Sequence, residues 1–148
     1  MVEIRAAGVA DAPGLVPLFE AWDHPQPAAV IERIVAQWAA QDRAVILVAE
    51  QAGRLIGMAA VVARPGLSSE EPAAHLAGLV VDSAARRIGI GARLLDAAES
   101  QAVTWGCRRM DLSSSLARDA AHRFYPAHGY QDSTVHHAYY QKVLAGPE

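Results

Sequence analysis

The chain contains 148 residues, of which 52% are hydrophobic and 20% charged, and its formal net charge at pH 7 is -3. This length predicts one domain over residues 1–148, and the high apolar content excludes intrinsic disorder. The absence of an excess of basic residues argues against a nucleic-acid partner. No apolar run reaches the roughly 18–20 residues that span a membrane. A lone cysteine and the lack of a visible export signal favour the cytoplasm.

In chain order, the first half of the sequence predicts a strand, two helices and a β-hairpin. Asp11 is a suitable N-cap for the first helix, and Pro17 should make that helix short or kinked because proline cannot donate the helical hydrogen bond. Gly53 lies between two apolar, β-branched runs, which is typical of a hairpin turn. These elements are expected at residues 2–6, after Asp11, after Pro27, and at residues 44–50 and 55–62.

The second half of the sequence predicts strands that alternate with helices. Apolar side chains recur at helical spacing along residues 91–105, and Gly106 is a suitable C-cap for this helix. A hairpin combined with a crossover helix implies an α/β fold, with a mixed, mostly antiparallel sheet and helices on both faces. The remaining elements are expected as strands at residues 76–81, 109–113 and 134–144, a loop at 64–72 and a helix at 118–128 that Gly129 closes.

The segment from Val81 to Gly91 carries the clearest chemical signal. It joins a strand to the amphipathic helix, and Gly89 and Gly91 allow the backbone to turn tightly and to bring its amides close to a ligand. The helix N-terminus adds unpaired N–H groups and the positive end of its dipole, while Arg86 and Arg87 add fixed positive charge. This combination predicts a site for phosphate or pyrophosphate.

Two other phosphate-binding motifs do not fit this segment. The sequence contains no Gly-Lys-Ser/Thr of a Walker loop, and Leu94 occupies the place of the third glycine of a dinucleotide fingerprint. A simple strand-to-helix turn at the glycines and a solvated pair of arginines are the structural alternatives.

Two segments together resemble the GNAT superfamily of acyl-CoA-dependent N-acyltransferases. Val81 to Gly91 matches V-x-x-x-x-R-x-x-G-x-G, and AHRFYPAHGY at residues 121–130 is similar to A-x-x-F-Y-x-x-x-G-F/Y. The spacing between the segments and the order of the elements also agree with that family. The sequence is therefore interpreted as a single GNAT-like domain.

The resemblance implies acetyl-CoA as the cosubstrate. Backbone groups of Leu79 to Val81 would pair with the pantetheine arm as an added partial strand, and amides from Arg86 through Gly91 would hold the pyrophosphate. Arg118 stands where the family often has asparagine and could reach a CoA phosphate. The implied cofactor-binding residues are Leu79, Val80, Val81, Arg86, Arg87, Ile88, Gly89, Ile90, Gly91, Arg118 and Phe124.

The resemblance also implies the reaction. An uncharged amine would attack the thioester carbonyl directly, an N–H near Val81 would stabilise the oxyanion, and Tyr125 would protonate the departing thiolate. Many members carry a glutamate as the general base at the position of Ala77, and alanine cannot replace it. His75 lies two residues earlier on the same strand face and could deprotonate the amine. Purely structural roles for Tyr125, as a core aromatic, and for His75 are the alternatives.

The acceptor is expected to be a small-molecule or peptide amine. The first two helices, the loop at residues 64–72 and the region before the last strand should form its pocket, where Glu20, Asp23, Glu70 and Glu71 could attract a cation. No metal site is expected, because the histidines lack metal-ligand spacing. Cys107 is expected to be a small buried side chain rather than a nucleophile.

Three further interpretations remain open. Tyr139 and Tyr140 would be exposed on the long final strand, which could pair across a homodimer. The missing glutamate also fits a non-catalytic acyl-CoA-binding sensor or partner domain of the same fold. A nucleotide-binding oxidoreductase fragment would instead bind NAD and not CoA.

Overall fold

The computed structural model describes residues 1–86, 88–114, 119–134 and 136–145. Its internal contacts define two compact units, Met1–Ser113 and Ser114–Glu148. A 3₁₀ turn lies at Val9–Asp11 and another at Ser83–Ala85. The helices and strands are β1 (Val2–Ala6), α1 (Ala12–Ala21), α2 (Ala28–Ala39), β2 (Ala44–Gln51), β3 (Arg54–Arg64), β4 (Ala73–Val81), α3 (Ile90–Thr104) and β5 (Met110–Asp111) in the first unit, and α4 (Asp119–Ala127) in the second.

The first unit is built on a five-stranded sheet whose strands lie side by side in chain order. The pairs β1–β2, β2–β3 and β3–β4 are antiparallel, whereas β4 and β5 are parallel. The hairpin between β2 and β3 turns through Ala52 and Gly53, whose φ angles of 51° and 77° are those of a type I′ turn. The predicted hairpin and the mixed, mostly antiparallel sheet are confirmed.

Helices cover both faces of this sheet. On one face, Leu15 of α1 and Ile31 of α2 are fully buried in a core with Val48 of β2. On the other face, α3 packs against β3 and β4 through the buried side chains of Leu94 and Leu95. The apolar positions at helical spacing therefore face the sheet, as the sequence predicts, and the α/β fold class is confirmed.

Three helices end in a Schellman motif, which places one residue in the left-handed region. That residue is Gly106 after α3, with φ 88°, and Gly129 after α4, with φ 91°. After α1 it is Asp23, with φ 65°. The Asp23 N–H donates to the carbonyl of Glu20 at 3.1 Å, and the next N–H donates to that of Phe19 at 3.0 Å. The motif at α1 is therefore complete although its left-handed residue has a side chain.

Asp11 occupies the N-cap position of α1, but its side chain does not cap that helix. The preceding 3₁₀ turn already gives Asp11 a helical backbone, and its carboxylate accepts a hydrogen bond from the Gly8 N–H at 2.8 Å. Both terminal nitrogens of Arg5 also donate to it, at 2.8 and 2.9 Å. The predicted N-cap position of Asp11 is confirmed, but its side chain makes no capping hydrogen bond, because Arg5 on β1 and the Gly8 N–H bind this carboxylate and the local spacing does not show that arginine.

The strand predicted at residues 134–144 is not formed by the residues of this range that the structure describes, 134 and 136–144. The described residues from 131 to 145 adopt neither helix nor strand, and Tyr139 and Tyr140 are 78% and 89% exposed. Aromatic and β-branched side chains favour a strand only where a neighbouring strand supplies hydrogen bonds and packing. The exposure of both tyrosines is as expected, but the strand that should pair across a homodimer is missing. The homodimer itself stays a prediction, and so does the single domain.

Candidate active site

The strand β4 separates from its parallel neighbour early along its length. Its pairs with β5 are Ala74 with Met110 and His75 with Asp111, whereas its pairing with β3 continues as far as Val81. Among the described residues, no strand pairs with the β5 side of β4 beyond His75. Residues 76–81 therefore present one main-chain edge that an extended ligand can join. The predicted pantetheine-binding residues Leu79, Val80 and Val81 all lie on this segment, which we call the open edge of β4.

A β-bulge interrupts β4 within the open edge. Leu76 pairs with Val61 and Gly78 pairs with Ala60, so Ala77 is an extra residue without a Cα partner on β3. A bulge leaves its extra residue outside the regular ladder and changes the direction of the main chain. Ala77 is also the position where a glutamate base would be expected from the family resemblance.

The turn between β4 and α3 presents main-chain groups to solvent. Gly89 is the N-cap of α3 and has φ 81° and ψ 13°, and none of the described side chains caps the helix. A Cβ built on Gly89 would meet no atom within 4 Å, so the backbone conformation and not crowding requires glycine here. The unpaired N–H groups of the first turn, together with the helix dipole, make this helix end suitable for an anion.

The predicted pyrophosphate-binding residues lie around this turn. The Nε of Arg86 donates to the carbonyl of Val81 at 3.3 Å, which holds the exposed guanidinium at the end of β4. Ile90 is 2% exposed and anchors α3 on the sheet, whereas Ile88 is 60% exposed. Arg87 lies outside the described residues. The structure thus brings Arg86, Gly89 and the start of α3 together with the open edge of β4.

The side chains of His75 and Asp111 form a hydrogen-bonded pair between β4 and β5. Nδ1 of His75 lies 2.5 Å from Oδ1 of Asp111, and the two residues are register partners in the parallel ladder. The His75 side chain is 23% exposed and the Asp111 side chain 69% exposed. The sequence predicts a strand at residues 109–113 but not the contact of Asp111 with His75, because the register of a parallel pair across 36 residues leaves no local pattern.

An aromatic side chain from the end of α1 covers β4 beside the bulge. A Cβ built on Gly78 would lie 2.7 Å from Cζ2 of Trp22, which shows that the indole occupies the space above this glycine. Trp22 also contacts the His24 ring, with 4.3 Å between centroids, and meets Phe19 edge-on at 5.9 Å. The end of the first helix therefore supplies a wall next to the open edge of β4, and the acceptor pocket itself stays a prediction.

The second unit contains the predicted catalytic Tyr125 on α4. Its half-buried ring meets Phe124 and Tyr130 edge-on, with centroid distances of 5.3 and 5.8 Å. Nδ1 of His128 lies 2.9 Å from the Phe124 carbonyl, and the two rings stack with 4.3 Å between centroids. The structure therefore gives Tyr125 a defined aromatic environment within its own unit. Arg118 lies outside the described residues.

Two other side chains considered in the sequence analysis are already engaged: Glu71 accepts hydrogen bonds and Cys107 is buried. Hydrogen bonds from Ser69 and from its own main-chain N–H, with a contribution from Arg108, lower the pKa of Glu71. Burial raises the pKa of the Cys107 thiol, which is 6% exposed, and this disfavours the thiolate that a nucleophile needs. The expectation that Cys107 is a small buried side chain is confirmed.

A polar cavity of about 430 Å³ lies between α1 and the β2–β3 hairpin. Its charged side chains pair with one another. Arg5 binds Asp11 and Glu50, and Arg54 binds Asp82. Since these pairs neutralise most of the charge, the cavity offers less to a charged ligand than the unpaired main chain of β4 and α3.

Over the parts of the chain that the structure describes, no three histidine, cysteine or acidic side chains are grouped so that they could hold a metal ion. None of the described helices is both long and apolar enough to cross a bilayer. Localisation in the cytoplasm stays a prediction.

The sequence model of the Acetyltransferase (GNAT) family matches residues 14–130. The chain belongs to this family. The match includes both segments on which the resemblance rests, the β4–α3 turn and residues 121–130, which cover most of α4 and the turn after it. The predicted family is confirmed.

Solved structures agree with the GNAT fold. A protein from Bacillus halodurans described as a transcriptional regulator is 24% identical, with a TM-score of 0.85 over 97% of this chain and 100% of that one. Aminoglycoside N-acetyltransferase AAC(6')-Iy in complex with CoA is 20% identical, with a TM-score of 0.84 over 96% and 95%. A GNAT family acetyltransferase from Staphylococcus aureus is 18% identical, with a TM-score of 0.79 over 97% and 98%. Curated protein sequences give no match.

Proposed function

We propose that this GNAT domain is an N-acetyltransferase that moves the acetyl group of acetyl-CoA to the primary amine of a small molecule or peptide. One observation carries the proposal: the open edge of β4 leads directly into the glycine turn and the N-terminus of α3. A strand-like surface is thus followed by an anion site, which is the order of the pantetheine arm and the pyrophosphate in CoA.

Among proteins of the same fold, AAC(6')-Iy supports the acceptor class. One structure of that enzyme contains CoA, and another contains the bisubstrate analogue CoA-S-monomethyl-acetylneamine, which joins CoA to an amine-bearing acceptor. At 20% identity these structures share the fold with this chain. The acceptor amine of this chain is therefore proposed as a class and not as a named compound.

The first chemical step in this mechanism is to deprotonate the amine, because an ammonium group has no lone pair for attack. His75 takes one proton from the ammonium group at Nε2 and becomes an imidazolium ion. The amine lone pair then forms the C–N bond to the thioester carbonyl carbon, and the electron pair of the carbonyl moves to oxygen. An N–H donor of β4 stabilises that oxygen, as expected for acyl transfer.

The second task is to protonate the leaving group. As the C–S bond breaks, its electron pair remains on sulfur, and Tyr125 donates its phenolic proton to that sulfur. The nitrogen then loses its second proton, which restores the Tyr125 hydroxyl, while His75 releases the first to solvent. The balance is one amide, one free CoA thiol and one proton per turnover. A phenol with an ordinary pKa near ~10 is protonated at neutral pH and can act as this acid.

The acceptor pocket in this proposal lies beside Trp22. The face of an indole attracts a cation, and Asp23 at the end of α1 adds a carboxylate to the same turn. The approaching amine is cationic at neutral pH, so this surface favours the ammonium form that His75 must then deprotonate.

The proposal is tested in two steps with the purified full chain. Coenzyme A should raise the thermal unfolding temperature, and thiol release from acetyl-CoA should accelerate with at least one member of a panel of polyamines, aminoglycosides, amino acids and peptide N-termini. Absence of both effects would overturn the proposal.

Tyr125→Phe tests the assigned acid, with Tyr130→Phe as the matched control for loss of a hydroxyl in the same aromatic group. We expect kcat to fall by roughly 100-fold in the first variant and CoA affinity to change little in either. Equal losses in kcat and CoA affinity would remove Tyr125 from this role.

A second candidate function is an acyl-CoA-binding sensor domain. It is favoured by the alanine at position 77, where the bulge holds no carboxylate. This function predicts that the chain binds acetyl-CoA and that no amine in the panel stimulates thiol release.

A further inference from the structure

The hydrogen bond between His75 and Asp111 occupies a particular place in the sheet. It joins the last register pair of β4 and β5 before the open edge begins, and it lies two residues before the bulge at Ala77. The pair therefore stands where the two parallel strands separate and where the site lacks the glutamate that would otherwise act as base.

We propose that Asp111 is a positioning residue for His75, an inference that rests on the proposed N-acetyltransferase function. An ionised carboxylate can only accept hydrogen bonds, so Nδ1 of His75 must carry the proton shared over the 2.5 Å between Nδ1 and Oδ1. In a neutral imidazole the lone pair is then on Nε2. Asp111 thereby selects the tautomer that presents a proton acceptor to the amine.

The carboxylate also stabilises the product of proton transfer. When the ammonium group of the acceptor gives one proton to Nε2, both ring nitrogens carry hydrogen, and the positive ring lies against a negative partner. The same arrangement of an orienting carboxylate and a histidine base is used in acyl transfer by other enzymes. No further reactant is needed, since the proton comes from the amine and leaves to solvent after release of the product.

Exposure separates this role from a structural one. The Asp111 side chain is 69% exposed, and an ion pair with an exposed partner adds little to the stability of a fold. The His75 side chain is 23% exposed, so its ring is held largely by the protein. Replacing Asp111 should therefore change the state of the imidazole while leaving the fold intact.

The test compares Asp111→Asn with Asp111→Glu, and uses Asp96→Asn on the exposed face of α3 as the control for the same chemical change. For Asp111→Asn we expect kcat to fall at least about tenfold with the KM for acetyl-CoA changed less than about twofold. Asp111→Glu should recover part of the lost kcat because it restores the carboxylate. Asp96→Asn should match the wild type.

A spectroscopic readout on the free protein makes the result independent of turnover. In ¹⁵N-edited histidine spectra, the His75 signals, assigned by their loss in His75→Gln, should show a proton on Nδ1 in the wild type. Asp111→Asn should shift the population toward a proton on Nε2. Unchanged spectra and an unchanged kcat in Asp111→Asn would overturn the inference and leave the N-acetyltransferase function in place.

The failure of the proposed function has a different signature. If the wild type acetylates no amine, the function and the catalytic use of Asp111 are both overturned, whatever the histidine spectra show. If Asp96→Asn loses as much kcat as Asp111→Asn, the loss does not depend on contact with His75, and the inference is overturned as well.

Discussion

Trp22 and Gly78 form a complementary pair, in which the indole fills the space that any side chain at position 78 would need. The separation of 2.7 Å between a built Cβ and Cζ2 of Trp22 is shorter than real Cβ contacts allow. The glycine is thus needed because an aromatic side chain on the end of α1 lies against β4, and its own backbone conformation does not require it.

Gly78→Ala should reduce the free energy of unfolding by about 1–3 kcal/mol, because the added methyl group forces Trp22 to move in a packed region. Urea denaturation followed by circular dichroism measures this loss. Gly8→Ala is the control, since a Cβ at position 8 meets no atom within 4 Å and should have a much smaller effect. Equal stability of Gly78→Ala and wild type would contradict the close contact of Trp22 with β4.

Asp23→Gly should stabilise the protein by about 0.5–1 kcal/mol. Asp23 has φ 65° in the Schellman motif of α1, where a Cβ is unfavourable and glycine is the common residue. The reciprocal change Gly106→Asp, at φ 88° after α3, should destabilise it. Thermal unfolding of the two variants measures whether each substitution raises or lowers the stability. A loss of stability in Asp23→Gly would mean that the Asp23 side chain contributes more than the backbone strain costs.

Asp11→Asn should lower the free energy of unfolding by roughly 1–2 kcal/mol at pH 7 and by much less near pH 3. Hydrogen bonds from Arg5 keep the pKa of Asp11 below its ordinary value in the folded protein. A lowered pKa stabilises the folded state above about pH 4, the unfolded value, and the contribution disappears as the pH falls through the folded value. Urea unfolding at pH 7, 5 and 3 measures the difference.

Asp96→Asn serves as the control in the same series, because Asp96 is exposed on α3 and its replacement should change the free energy of unfolding little. A constant difference between Asp11→Asn and wild type from pH 7 to pH 3 would show that ionisation of Asp11 does not stabilise the fold.

Gly89→Ala should weaken CoA binding by at least about tenfold, which corresponds to ~1.4 kcal/mol. The left-handed φ of 81° at the N-cap of α3 is strained for alanine, so the turn that presents the main-chain amides must change. Gly106→Ala is a matched control. It carries similar strain at φ 88° and equal free space, but at the other end of the same helix.

Isothermal titration with CoA separates the two variants. Both should lose about 1–2 kcal/mol of stability, and the loss of CoA affinity should be confined to Gly89→Ala. Equal CoA affinity in the two variants would place the pyrophosphate elsewhere.

Local sequence signals were sufficient for most of the fold, including the glycine turn between β4 and α3. Hydrophobic spacing located α3 within one residue at each end, and Gly53 and Gly106 marked a turn and a helix end through their conformational freedom. These features depend on neighbouring residues along the chain, so their causes are visible in the sequence.

Features that depend on distant residues were missed or misread. The pairing of His75 with Asp111 and the contact of Trp22 with Gly78 arise from strand register and helix packing, which leave no short pattern. The same limit explains the final strand, for which propensity was present but the described residues between 134 and 144 form no strand. It also explains the β-bulge at Ala77, because a bulge is defined by the partner strand.

The early parting of β4 from β5 has a consequence for the behaviour of the protein without its substrate. Over the described residues, no strand pairs with one side of β4 beyond His75, and such an edge can pair with a pantetheine arm or with another extended chain. Peptides in an extended conformation should thus compete with acetyl-CoA for the open edge of β4. Saturation with acetyl-CoA should protect the main-chain amides of this edge from exchange with deuterium. The same strand edge that admits the acyl donor can pair with a second copy of this chain. Binding of acetyl-CoA and self-association through β4 should therefore exclude one another.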